Sequence, residues 1–451
     1  MPSNLPENWA QMTPEQKRQY RLDKTLDTSG RQFPTPEAEK AYKVRAQRMV
    51  DVYNVREPDR VPVSLPVGNL PLKMAGLSTY DAMYDFEKAL EATRKFNEKY
   101  SEELEYTAMP YFISPGKVLD LLDYKLYAWP GHGIAKDGTS WQFIEGEYMT
   151  VDEYDDFIRD PSDFWVRTYL PRAFGILEPM RMFQPFTNIT ENVHLMQFMP
   201  LAMPQVQDML QRMLDIGKEY QKLMQLMMSA GRGMSMDFTA GFGGGFAKVP
   251  FDTLGDTLRG TKGIMKDMFR CPDKLLKALD VVADLTIATI LKSPNIANMT
   301  AVMYPLHKGA DGFMSQKAFD TFYWPPMKKV MNALIEEGLI QILFAEGSYN
   351  TRLEYVGGFP KGSVVWYFDR TDMSNAKRIL GKDCCLQGNV PTSMLVTGQP
   401  EQVKEYCRKL IQEVGKGGGF ILAGGAMPDN PKLENLQAMM AAVREYGYYK
   451  K

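Results

Sequence analysis

Cysteine and histidine are both scarce in this chain, with four and three copies among 451 residues. Cys271, Cys384, Cys385 and Cys407 show no C-x-x-C spacing, and neighbours on a strand point to opposite faces, so a disulfide framework or zinc knuckle is not expected. They read as reduced core residues. No apolar run reaches the roughly 18 residues of a membrane span, and Met1-Pro2-Ser3-Asn4 lacks the charged and apolar stretches of a secretion signal. A cytoplasmic protein without membrane association is expected. Excess charge is missing too: 53 basic against 55 acidic side chains leave a net charge of −2, with no polybasic face for nucleic acid.

The length is ample for one large α/β domain, since barrels with insertions commonly reach this size. Methionine is abundant, at 31 residues, with concentrations at Met196-Gln197-Phe198-Met199 and between Met224 and Met236. Such soft side chains fill cores and also suit a malleable pocket or partner surface. An anaerobic host would tolerate their exposure to oxidation well.

Residues 1–56 read as a helical extension and residues 57–451 as the main domain. Thr13-Pro14-Glu15-Gln16 carries a capping threonine, a first-turn proline and a glutamine three residues on, and Thr35-Pro36-Glu37 opens a second helix. Tyr42, Ala46, Met49, Val50 and Tyr53 share one face of it, expected to pack on the outside of the main body. Strands are expected at 60–65, 104–109, 296–303, 340–345, 364–368, 384–387 and 420–422, separated by helices. Turn signals at Pro130-Gly131 and Asp137-Gly138 predict a β-hairpin insertion. Gly241-Phe242-Gly243-Gly244-Gly245 lacks the lysine-hydroxyl pair of a nucleotide loop and reads as a mobile loop. The whole pattern is that of a TIM (β/α)8 barrel.

In such a barrel the reactive groups gather where strands end. That rule selects Glu346, His307 and Asp369 as catalytic candidates, and Lys308, Tyr349, Arg352, Asp237 and Asn389 as substrate-binding ones. Glu346 follows Leu343, Phe344 and Ala345, so burial would raise its pKa and suit proton handling or metal ligation. Its bland alternative is an ion pair with Arg352. His307 is either an acid, base or metal ligand or a cap of the helix near Ser315. Asp369 and Asp372 could pair with Lys377 or Arg378, Asn389 could hold a loop backbone, and Asp256 and Arg259 read as mostly structural.

Gly381-Lys382, Leu386-Gln387-Gly388-Asn389, Gly398, Val403, Phe420-Ile421-Leu422 and Glu434-Asn435 together resemble the uroporphyrinogen decarboxylase superfamily. Arg60-Val61-Pro62-Val63, Pro250-Phe251-Asp252-Thr253-Leu254 and Phe344-Ala345-Glu346-Gly347 extend the resemblance upstream, to about residues 57–445. That superfamily groups true decarboxylases with corrinoid-linked methyltransferases. The decarboxylase groups are not matched: Val67-Gly68-Asn69-Leu70-Pro71-Leu72 has no arginine, alanine replaces the aspartate near Met109, Asp256 stands for a tyrosine, and Gly425 or Ala426 for a histidine. The zinc ligands of the thiol-methylating branch are missing as well, with Phe344, Glu346 and Ala426 in their places.

The resemblance therefore implies a substrate-side methyltransferase that moves a methyl group from an apolar or aromatic O-methyl donor to a separate corrinoid protein. Zinc held by Glu346 and His307 is left open, as is a homodimer. The alternatives are a carboxy-lyase acting on a small carboxylated substrate and a non-catalytic tetrapyrrole or corrinoid binder.

Overall fold

Among the described residues the strands are, in chain order, β1 (Val63–Ser64), β2 (Tyr127–Pro130), β3 (Gly133–Ile134), β4 (Gln142–Phe143), β5 (Gly244–Phe246), β6 (Ala301–Leu306), β7 (Ile340–Ala345), β8 (Val364–Phe368), β9 (Cys385–Val390) and β10 (Phe420–Gly424). The computed structural model describes residues 5–449 apart from 32, 34, 186–195, 197, 234–243, 428 and 429. Seven strands form one parallel sheet in the order β1-β10-β9-β8-β7-β6-β5. This is an α/β fold of TIM-barrel type.

Side-chain alternation on the strands builds two layers of packing. Tyr304, Leu343, Trp366, Leu386 and Leu422 face outward into one apolar core with Met331 and Leu334 of the helix Trp324–Glu336 and Leu410 of the helix Pro400–Val414. The opposite row begins with Ala301, Ile340, Val365, Cys385 and Ile421 and points into the barrel. At its N-terminal end it packs on Leu22 of α1 (Pro14–Leu26) and on Val50, Val52 and Tyr53 of α2 (Pro36–Tyr53). The N-terminal extension thus packs across the base of the barrel. Both helices begin as their sequences dictate, with Thr13 and Gln16 in a reciprocal capping box and Thr35 accepting from Ala38 N.

Two strand expectations are corrected. Residues 104–109 form no strand: Leu104 ends the helix Phe86–Leu104, and the side chain of Asn97 accepts from Ala108 N at 2.8 Å and donates to Ala108 O at 3.0 Å. With both backbone groups of Ala108 so engaged, a ladder cannot form there. The sheet consequently has two edges, β1 and β5, with no strand pairing them among the described residues. Conversely, Gly244 and Gly245, expected in a loop, belong to β5, which pairs in parallel with β6. The expected insertion is present as a small sheet, with β2 antiparallel to β4.

Candidate active site

The strand ends converge on a charged cluster at the C-terminal end of the barrel. Beyond β5 the chain passes Lys248 and enters a short helix, Pro250–Asp252, that continues as a π-helical stretch, Thr253–Leu258. Single π-turns of this kind are frequent at functional sites. Asp252 and Asp256, four residues apart, reach the segment leaving β6.

Asp252 is fully buried. It accepts hydrogen bonds from His307 N and Lys308 N, both at 3.0 Å, and from the Tyr323 hydroxyl at 2.9 Å. The carboxylate therefore clamps the backbone as it leaves β6 and fixes where the His307 ring can point. Burial, reinforced by the charge of Asp256, pushes its pKa up to about 6.

Asp256 is also sheltered but is surrounded by cations. Its Oδ2 lies 2.6 Å from His307 Nδ1 and 2.9 Å from Lys248 Nζ, and its Oδ1 lies 2.5 Å from Lys308 Nζ. Although burial opposes ionisation, the hydrogen bond from His307 and the charges of Lys248 and His307 hold the carboxyl well below its usual range. Gly255 gives Lys308 room, because a Cβ there would meet Lys308 Cε at 2.7 Å.

With Nδ1 bound to an ionised carboxylate, the free nitrogen of His307 is Nε2, which lies 3.8 Å from Glu346 Oε1. Burial disfavours the imidazolium, yet the hydrogen bond to Asp256 and the charges of Asp252, Asp256 and Glu346 raise the His307 pKa above its ordinary value. Desolvation also raises the pKa of Glu346, against the pull of His307 and with the help of Asp369 and Asp256. The Glu346 side chain is 46% exposed, so it is reachable from solvent while feeling the protein's field. Two titratable groups are thus held in register, one of them oriented by a third.

The structure brings His307, Lys308, Glu346, Asp369 and Asn389 to one end of the sheet. Asp369 accepts from Gly347 N at 3.1 Å and so steadies the turn after Glu346. Asn389 is buried and donates to Thr371 O at 2.7 Å, the backbone-holding use foreseen for it. Lys308 is 7% exposed and bound to Asp256.

Tyr349 and Arg352 are both essentially enclosed. Arg352 donates to Met314 O at 2.6 Å and to Gln316, with Asp311 at 3.8 Å and Phe319 beneath its guanidinium. It ties the loops after β6 and β7 together and leaves Glu346 to His307. Asp237 lies outside the described residues.

Asp252, Lys248 and Tyr323 escaped the strand-end rule because they follow a glycine strand or sit on a helix, and Asp256 was given a structural reading. An i, i+4 aspartate pair just after Pro250 was the available signal.

Zinc would need about four ligands. His307 Nε2 and Glu346 supply two, and among the described residues no group of three or more His, Cys, Asp or Glu side chains could hold a metal ion. The described residues by themselves do not make up a protein-held zinc site.

A TIM-barrel scaffold with an acid–imidazole–carboxylate array at its strand ends is the architecture of an enzyme site. The family model for uroporphyrinogen decarboxylase (URO-D) matches residues 240–446, the stretch from β5 to β10 that carries the array. Through this stretch the chain is similar to the uroporphyrinogen decarboxylase family. It is similar to uroporphyrinogen decarboxylase of Syntrophotalea carbinolica, 25% identical over 193 residues, which cover 42% of this chain and 55% of that protein. The Pseudoalteromonas translucida enzyme of the same name is 28% identical over 198 residues, covering 41% and 51%. The chain spans about half the length of these curated relatives. Among solved structures, a methyltransferase from Methanosarcina mazei shares the fold over 89% of this chain and 98% of its own, with a TM-score of 0.54 at 15% identity.

Proposed function

We propose that the protein is the substrate-side methyltransferase of a corrinoid-dependent demethylation system, acting on an apolar or aromatic O-methyl donor. The observation that carries this reading is the placement of Glu346 3.8 Å from His307 Nε2, with His307 anchored by Asp256. Breaking a methyl–oxygen bond leaves both electrons on the oxygen, which must be protonated or otherwise stabilised to depart. Glu346, with its raised pKa, is suited to give that proton, and the imidazolium of His307 to restore it through Nε2. In such a system a reduced corrinoid on a separate protein supplies the nucleophile that takes the methyl group.

Two further facts support methyl transfer over loss of carbon dioxide. The loop after β1, 67–72, offers no arginine for a carboxylated substrate, and Lys308 is bound to Asp256 inside the protein. The name borne by the fold neighbour agrees with the reading.

The test is to mix the purified protein with a reduced corrinoid protein and a panel of methoxyarenes and methylamines, following methylcobalamin absorbance. Methylation from a methoxyarene that falls about 100-fold in Glu346→Gln is expected, the scale of a lost general acid. Carbon dioxide release from a small carboxylate, with no methylcobalamin from any donor, would replace this reading with a carboxy-lyase.

A further inference from the structure

The ends of β8 and β9 release the chain as Asp369-Arg370-Thr371-Asp372 and as Asn389-Val390-Pro391-Thr392-Ser393, runs rich in the short polar residues that suit turns and helix starts. Asp372 caps the helix Met373–Leu380 by accepting from Asn375 N at 3.0 Å, and Thr392 opens the short helix Thr392–Thr397. Farther out, Ser374 of the first helix donates to Glu413 of the helix Pro400–Val414 at 2.6 Å and ties the two helices together. These walls enclose a cavity of about 860 Å³, within the range of small-molecule sites.

Two polar residues of the lining, Thr371 and Asn389, are only 2% and 5% exposed. The amide nitrogen of Asn389 is spent on Thr371 O, which fixes the side chain and leaves Oδ1 over. That oxygen is buried and accepts no hydrogen bond from the described residues. The Thr371 hydroxyl accepts from Tyr349 N at 3.0 Å and keeps its own proton for another acceptor. Ser393 and Tyr406 line the same space, and neither hydroxyl has a hydrogen-bond partner among the described residues. A buried acceptor is costly to leave unpaired, so the cavity presents hydrogen-bonding capacity that the fold does not itself use.

Charge narrows the class of ligand. Three carboxylates, of Asp369, Asp372 and Glu413, line the cavity against two cations, Arg370 and Lys409. The cations have side chains 80% and 60% exposed, and each already lies near a carboxylate, Asp369 at 3.5 Å and Glu405 at 3.9 Å. An anion such as phosphate is opposed by this balance. What fits is a neutral molecule that donates to Asn389 Oδ1 and the carboxylates while accepting from the hydroxyls, and alcohols on adjacent carbons do both. The half-buried ring of Tyr406 offers an apolar face for the C–H side of such a molecule.

We infer that this cavity is a binding site for a neutral polyhydroxylated molecule, a sugar or cyclitol of one or two rings, with its hydroxyls on Asn389 and Thr371 and a C–H face against Tyr406. The site adjoins the candidate active site through Asp369, which lines it and also accepts from Gly347 N in the turn after Glu346. It does not depend on methyl transfer, so its occupancy is measured with neither a corrinoid nor a methyl donor.

Saturation-transfer NMR and titration calorimetry with cellobiose, maltose and myo-inositol provide the test, with inorganic phosphate as the anionic competitor. At least one of the three polyols should bind, one per chain, with a Kd on the order of 1 mM, and phosphate should not displace it. Ser393 is exposed, so Ser393→Trp blocks the cavity without touching the core and should abolish binding. Tyr406→Ala should weaken binding about 10-fold by removing the apolar face. The inference is overturned if no polyol binds at about ten times that concentration, if phosphate displaces the bound polyol, or if either folded variant binds as the parent does.

Discussion

His307 and Asp256 are joined at 2.6 Å through Nδ1 and Oδ2, which turns the remaining imidazole nitrogen toward Glu346. Asp256→Asn keeps the shape but removes the charge that raises the His307 pKa. The chain has three histidines, so the His307 imidazole can be followed by NMR titration. Its pKa should move down toward the ordinary 6.5, and methyl transfer should fall about 100-fold. A variant with an unmoved His307 titration would show that Asp256 does not tune the ring.

The same pair makes stability depend on pH from both sides. His307 has a raised folded pKa, so its contribution is complete below its unfolded value of about 6.5 and is lost as pH rises through the folded value. Asp256 has a lowered folded pKa, so its contribution is present above about 3.8 and is lost as pH falls through the folded value. Thermal melts should therefore show Asp256→Asn most costly between these limits. An equal cost at every pH would exclude this coupling.

Asp252 follows the opposite sign for a carboxylate. Its folded pKa of about 6 lies above its unfolded 3.8, so the native state loses stability as pH rises across that interval. Asp252→Ala should destabilise by about 3 kcal/mol, because it strands two backbone N–H groups and a tyrosine hydroxyl. The cost, measured by urea unfolding, should be smaller above pH 6 than at pH 4. A cost that grows with pH would contradict the assignment.

Much of this arrangement was legible in the residues. The apolar runs ending at Ala345 and Phe368 located two strand ends, and with them Glu346 and Asp369, whereas the strand expected at 296–303 is shifted, running from Ala301 to Leu306 and ending beside His307. Local pattern worked there because strands buried on both faces read as near-continuous apolar stretches. It failed for Gly244–Phe246, whose glycines mimic a loop while its ladder comes from β6, 57 residues further on. It failed for 104–109, where the partner that removes Ala108 from the sheet is a single asparagine on the preceding helix. The surroundings of Arg352 are hidden in the sequence for a related reason: its neighbours Met314 and Asp311 lie 38 and 41 residues away along the chain, and only folding brings them to its guanidinium.

Gly309 tests whether the clamp on the β6 exit is as tight as the aspartate network requires. A Cβ at this position would lie 2.6 Å from Tyr323 Cε1 and 2.7 Å from the Tyr349 hydroxyl, both on rigid buried rings that have little room to yield. Gly309→Ala should therefore cost about 2 kcal/mol through overpacking. It should also push the Tyr323 hydroxyl away from Asp252, loosening the group that holds His307 N. Loss of stability and a changed His307 titration should then appear together. If the variant melts like the parent, the tyrosine pair is free to move, and the positioning of His307 must come from Asp256 alone.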